Sequence, residues 1–116
     1  MTDKPLGSAE DLAALIAYLA ETVDSRVGGD PKDSYTAKLL SKGPLHCGKK
    51  IAEEGAELAH ALAAEGRSES ASEAADLIYH MLVGLRSKGV SLNQVAAALR
   101  KRQGLSGLEE KASRGT

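Results

Sequence analysis

Apolar residues recur three and four positions apart along most of the chain, the spacing of one helical face rather than the alternation of a strand. Leu12, Leu15, Ile16 and Leu19 set this rhythm first, and Ser8 with Asp11 at the third position predicts a helix from Ser8 to near Arg26. Gly28, Gly29, Asp30 and Pro31 interrupt it, making residues 28–33 a loop. Ser34 restarts the pattern with Thr36, Leu39 and Leu40 in a short second helix that Gly43 closes. Pro44 suits the first position of a third helix, which runs through Lys50, Ile51, Leu58 and Leu62 to Gly66. Ser70 with Glu73 reads as a capping box for helix four, continuing through Leu77, Ile78, Met81, Leu82, Val83 and Leu85 to Gly89. Ser91 with Gln94 repeats the box and opens helix five, with Val95, Ala98 and Leu99 inward and Arg100, Lys101 and Arg102 in its last turn. The expected architecture is an all-α bundle of about five helices in a single domain over 1–116, ordered over about 8–103, with a polar tail from Gly104.

Helix four is apolar on most sides, which predicts that it forms the spine of the core or of a subunit interface. A 116-residue chain of few, Ala-rich helices has little to bury, so a homodimer is expected. Gly48 and Gly55 each cost helix three about 1 kcal/mol against Ala, and mark either close approach of another backbone or tolerated drift. The absence of Phe and Trp, with only three Tyr, suits close-packed helices better than sheets.

A formal charge of −1, from 15 basic and 16 acidic residues, argues against a nucleic-acid partner and leaves room for a small anionic ligand. Cys47 is the only cysteine, so neither an intrachain disulfide nor a Cys-based zinc site can form, and it reads as a small apolar residue. No signal-peptide pattern and no run of about 18 apolar residues occurs, so a cytoplasmic protein that does not span a membrane is expected.

The candidate chemistry lies in two acidic groups. Glu53, Glu54 and Glu57 share neighbouring faces of helix three, and Glu73 and Asp76 are three apart on helix four. With a turn at residues 66–69, an antiparallel hairpin brings Glu57 level with Asp76 and gathers all five acids into a band of about 12 Å. Like charges at these spacings repel, and a hard divalent cation such as Mg²⁺, which takes carboxylate oxygens and substrate phosphates, would reverse the penalty. The competing reading is a solvated acidic face. Lys50, one turn before Glu54, is a phosphate contact or an ordinary helical ion pair. His80, on the face of Glu73 and Asp76, is a packing residue or a substrate contact; His60 and His80 are poor magnesium ligands.

The run Glu53-Glu54-Gly55-Ala56-Glu57, followed by Glu73-Ala74-Ala75-Asp76, resembles the metal-binding signature of the all-α nucleotide pyrophosphohydrolases, the MazG-like superfamily. Ser34-Tyr35-Thr36, Lys50 ahead of Glu53, Asp76-Leu77-Ile78-Tyr79-His80 and Ser91-Leu92 narrow the resemblance to the phosphoribosyl-ATP pyrophosphatases. It spans about residues 8–114. The resemblance implies Mg²⁺ bound by Glu53, Glu54, Glu57, Glu73 and Asp76, catalysis by Glu53, Glu54 and Glu57, and substrate contacts from Arg26, Tyr35, Lys38, Lys50 and His80. It also implies an intertwined homodimer that hydrolyses the α–β phosphoanhydride of phosphoribosyl-ATP, in histidine biosynthesis. The cyclohydrolase domain that some relatives carry fused finds no room here, so the next step is expected of a separate protein. A house-cleaning nucleoside triphosphate pyrophosphatase is the alternative enzyme, and a helical dimerisation or adaptor module the alternative without catalysis.

Overall fold

The structure, a computed structural model, describes residues 7–103 together with residues 111 and 114. These residues form five helices: α1 (Ala9–Ser25), α2 (Tyr35–Lys42), α3 (Pro44–Ala64), α4 (Arg67–Lys88) and α5 (Leu92–Arg102), and no strand occurs among them. The expected tail beyond Gly104 lies almost wholly outside the described residues. No helix is long and apolar enough to cross a membrane.

Local signals account for most boundaries. The Ser8 hydroxyl accepts from the Asp11 amide while the Asp11 carboxylate accepts from the Ser8 amide, and Ser91 and Gln94 do the same for α5. Ser34 caps α2 through the Ala37 amide. Gly43 ends α2 and starts α3 at φ 88°, ψ 176°, a conformation open in practice to glycine alone, so the two helices turn sharply on one residue.

The start of α4 departs from expectation. It begins at Arg67, with Gly66 as its cap, and the Ser70 hydroxyl donates to the Gly66 carbonyl at 2.9 Å from inside the first turn. The capping box fails because nothing in Arg67, Ser68 or Glu69 opposes a helix and because Glu73 is occupied elsewhere, with one carboxylate oxygen fully buried. The turn is therefore shorter, which shifts the hairpin register: Glu57 stands level with Glu73 rather than Asp76.

α3 and α4 form the principal packed pair, and α4 also contacts α1 and α2. Val23 of α1, Leu39 of α2, Cys47 of α3 and Val83 of α4 make the buried cluster, flanked by Leu40 and Tyr79. α4 is thus the spine of the core, as its apolar pattern predicts. Cys47 behaves as a small core residue whose thiol donates to the Leu39 carbonyl at 3.4 Å. Close approach between α3 and α4 occurs at Gly84, where a Cβ would lie 2.8 Å from the Ile51 methyl. Gly48 and Gly55 face open space in the single chain.

The packing leaves much apolar surface outside. Leu12, Leu15 and Tyr18 on α1 and Leu62 on α3 are exposed, and α5 buries none of its residues. The inward face expected from Val95, Ala98 and Leu99 is not packed within the chain, and Leu99 remains 63% exposed. α5 is not among the helices that pack substantially on one another, so its apolar positions find no cover within the chain. The radius of gyration is 16.4 Å, against about 13 Å for a compact domain near 100 residues.

Candidate active site

The α3/α4 hairpin positions the acids. Glu54 and Glu57 project from α3 one turn apart, Glu73 meets them from α4, and one carboxylate oxygen from each lies within 4.8 Å of the others. Burial pushes the Glu73 carboxyl above its ordinary value, and the negative charges of Glu57, Asp76 and Glu54 add to that rise, as does a direct interaction with the Glu57 carboxyl. One Glu73 oxygen has no solvent contact and no hydrogen-bond partner. Carboxylates placed this closely, with a shielded oxygen left unsatisfied, match what a hard divalent cation accepts as ligands. Glu54, Glu57 and Glu73 would hold it.

The remaining expected acids flank this triad. Asp76 is one turn beyond Glu73 and contributes to its electrostatic environment. Glu53 points away to pair with Lys50 at 3.1 Å, the ordinary helical ion pair weighed from the sequence. That bond raises the Lys50 pKa, with help from Tyr35 and from the charges of Glu53 and Glu54. His60 lies over the exposed side of α3, 3.8 Å from Glu65.

Beside the triad, two sequence elements separated by 43 residues are joined. The Thr36 and Tyr79 hydroxyls share a hydrogen bond of 2.6 Å, and the His80 ring meets Tyr35 and Tyr79 edge-on, at centroid distances of 6.3 and 5.0 Å. His80 is buried, and its Nδ1 donates to the Asp76 carbonyl at 2.9 Å, since a carbonyl can only accept. That leaves Nε2 as a buried nitrogen without a partner. His80 is therefore a packing residue that keeps one unsatisfied position, and it ties the Tyr35 end of α2 to the acid-bearing stretch of α4.

Lys38 and Lys50 line a cleft of about 300 Å³ between α2 and α3, together with Tyr35, Lys42, His46 and Lys49. The sequence reading passed over Lys42, His46 and Lys49. The signal was present as basic positions at helical intervals on both sides of Gly43, but it becomes one surface only when the sharp turn there folds α2 against α3. Arg26 is not among the residues lining this cleft or the acidic triad; it forms the C-terminal cap of α1.

A family model described as phosphoribosyl-ATP pyrophosphohydrolase matches residues 16–103. The chain is 53% identical over 96 residues to phosphoribosyl-ATP pyrophosphatase 1 of Rhodopseudomonas palustris, covering 83% of this chain and 90% of that one. It is 50% identical over 101 residues to the phosphoribosyl-ATP pyrophosphatase of a Cereibacter sphaeroides strain, covering 87% and 98%. The histidine biosynthesis bifunctional protein HisIE of Wolinella succinogenes is 52% identical over 109 residues, covering 91% of this chain and 48% of that longer protein. With a model match over most of its length and relatives at half identity, the chain belongs to the phosphoribosyl-ATP pyrophosphohydrolase family.

Proposed function

We propose that this protein hydrolyses phosphoribosyl-ATP to phosphoribosyl-AMP and pyrophosphate, a step of histidine biosynthesis in the cytoplasm, as a single MazG-like domain in a Mg²⁺-dependent homodimer. The observation that carries this reading is the convergence of Glu54, Glu57 and Glu73 across the α3/α4 hairpin, in a chain half identical to phosphoribosyl-ATP pyrophosphatases.

The chemistry follows from the residues. Water attacks the α phosphorus, the bond from that phosphorus to the α–β bridging oxygen breaks, and pyrophosphate departs with the bonding pair. A carboxylate of the acidic group takes a proton from the attacking water. Mg²⁺, when bound, neutralises phosphate charge and makes water a better nucleophile at neutral pH. Glu54, Glu57 and Glu73 would hold the ion, with Glu53 and Asp76 beside them as further carboxylate ligands. Lys50, paired with one oxygen of Glu53 at 3.1 Å, offers a point charge for a phosphate oxygen. Lys38, lining the same cleft as Lys50, is a further phosphate contact, and the exposed ring of Tyr35, met edge-on by the buried His80, offers a surface to the rest of the substrate.

The test is a coupled pyrophosphate assay with phosphoribosyl-ATP, ATP and dUTP, each with Mg²⁺ and with chelator. Phosphoribosyl-ATP is expected to be the preferred substrate, with pyrophosphate rather than orthophosphate released beside phosphoribosyl-AMP, and chelation is expected to abolish release. Orthophosphate as primary product, or a preference for dUTP, would overturn the assignment.

A further inference from the structure

The cleft between α2 and α3 carries a local excess of positive charge that the rest of the chain does not share. Lys38, Lys42 and Lys49 line it with no carboxylate ion pair among the described residues, while Lys50 is held by Glu53, and the chain as a whole has a formal charge of −1. Lys38 and Lys42 are one turn apart on α2, and His46 and Lys50 one turn apart on α3, so Gly43 brings like charges together that a straight helix would have spread out. Such a cleft gains from an anion that fills it. The acidic triad and this cleft lie along the same helix: from His46 to Glu54 is eight residues, about 12 Å of rise.

A substrate consisting of ATP with an added phosphoribosyl group has two anionic ends, a triphosphate on one ribose and a monophosphate on the other, separated by the purine. The acids fix the triphosphate end. We propose that Lys42 and Lys49, with His46 beside them, bind the distal monophosphate of the phosphoribosyl group, and that this contact selects phosphoribosyl-ATP over nucleoside triphosphates lacking it. The inference rests on the proposed activity for the identity of the substrate. Lysine is suited to this place because a terminal phosphate presents several equivalent oxygens and a compact ammonium needs no fixed approach. The Lys50–Glu53 pair marks the border between cleft and triad, so the two ends of the substrate meet opposite charge environments on one rigid element.

The experiment uses the full chain with Mg²⁺ and two substrates, phosphoribosyl-ATP and the same molecule without its distal phosphate. In the Lys42→Gln/Lys49→Gln variant, the preference in kcat/KM for the phosphorylated substrate is expected to fall by at least about tenfold, chiefly through KM. An unchanged preference overturns the proposal, because the lysines would then act on a part common to both molecules. A second measurement does not depend on turnover. Ribose 5-phosphate is expected to shift the His46 ring resonances of the wild type and not those of the variant; no shift in the wild type overturns the site. If neither substrate is hydrolysed by the wild type, the proposed activity fails while the ribose 5-phosphate titration still decides the cleft. Both lysines are exposed, so equal helix content by circular dichroism is expected and separates lost binding from lost fold.

Discussion

Burial and neighbouring negative charge push the Glu73 carboxyl above its ordinary value. Water is excluded from one oxygen, and Glu57, Asp76 and Glu54 supply negative potential around it. Its folded pKa therefore exceeds the unfolded one, and between the two the native state binds more protons. This contribution to stability is fully present below the ordinary value of 4.5 and is lost as pH rises through the raised folded value. The metal-free protein is expected to lose melting temperature across that window, and Glu73→Gln, which keeps a neutral side chain at every pH, to flatten the loss. A slope identical in both proteins would show that another group causes it. Glu57→Gln tests the same cluster through the cation. Without metal the variant is expected to be as stable as wild type or up to about 1 kcal/mol more so, because a repulsion is removed. Saturating Mg²⁺ at a hundred times its dissociation constant stabilises the wild type by about 2.7 kcal/mol; the variant gains less, and its turnover drops by orders of magnitude. Equal metal responses with unchanged turnover would return the acids to a solvated face. Residue types were legible from the chain alone because three- and four-residue spacings place carboxylates on shared faces. Which of them converge was not: the pairing of Glu57 with Glu73, and of Glu53 with Lys50, depends on a turn two residues shorter than Gly, Arg, Ser and Glu suggest.

Among the helices, the α3/α4 hairpin sets the site, and Gly84 sets the hairpin. Alanine there gains about 1 kcal/mol of helix propensity and must displace only the flexible end of Ile51, so its net effect is expected to be small. Valine adds bulk that α3 cannot absorb; a loss of about 1–3 kcal/mol is expected, with weaker Mg²⁺ stabilisation as Glu54 and Glu57 move off Glu73. Unfolding curves with and without metal measure both, and a Gly84→Val protein of wild-type stability would contradict the close contact. Gly48→Ala and Gly55→Ala make the complementary pair: with open space around both, each gains about 1 kcal/mol unless another chain lies there. Caps made the element order readable, since Ser8, Ser34, Ser91 and the glycines at 43 and 89 announce boundaries locally. The Ser70 box misled because its second member, Glu73, is drawn into a tertiary cluster, and no local rule contains that competition.

At the scale of the whole molecule, the folded chain keeps Leu12, Leu15, Tyr18, Leu62 and Leu99 exposed around a core of a few buried residues. Such a surface on so small a body is what a second copy would cover. A dimer is expected in sedimentation at micromolar concentration; a monomer that retains activity would refute it. α5 turns this into a reporter. Because it buries no residue of its own, its backbone amides have only intrahelical bonds to protect them, whereas those of α3 and α4 are shielded by each other. Their exchange with heavy water thus answers to different equilibria: dilution should quicken the isotope uptake of α5 while the hairpin keeps its slow pace, making one short helix a gauge of how often two subunits part.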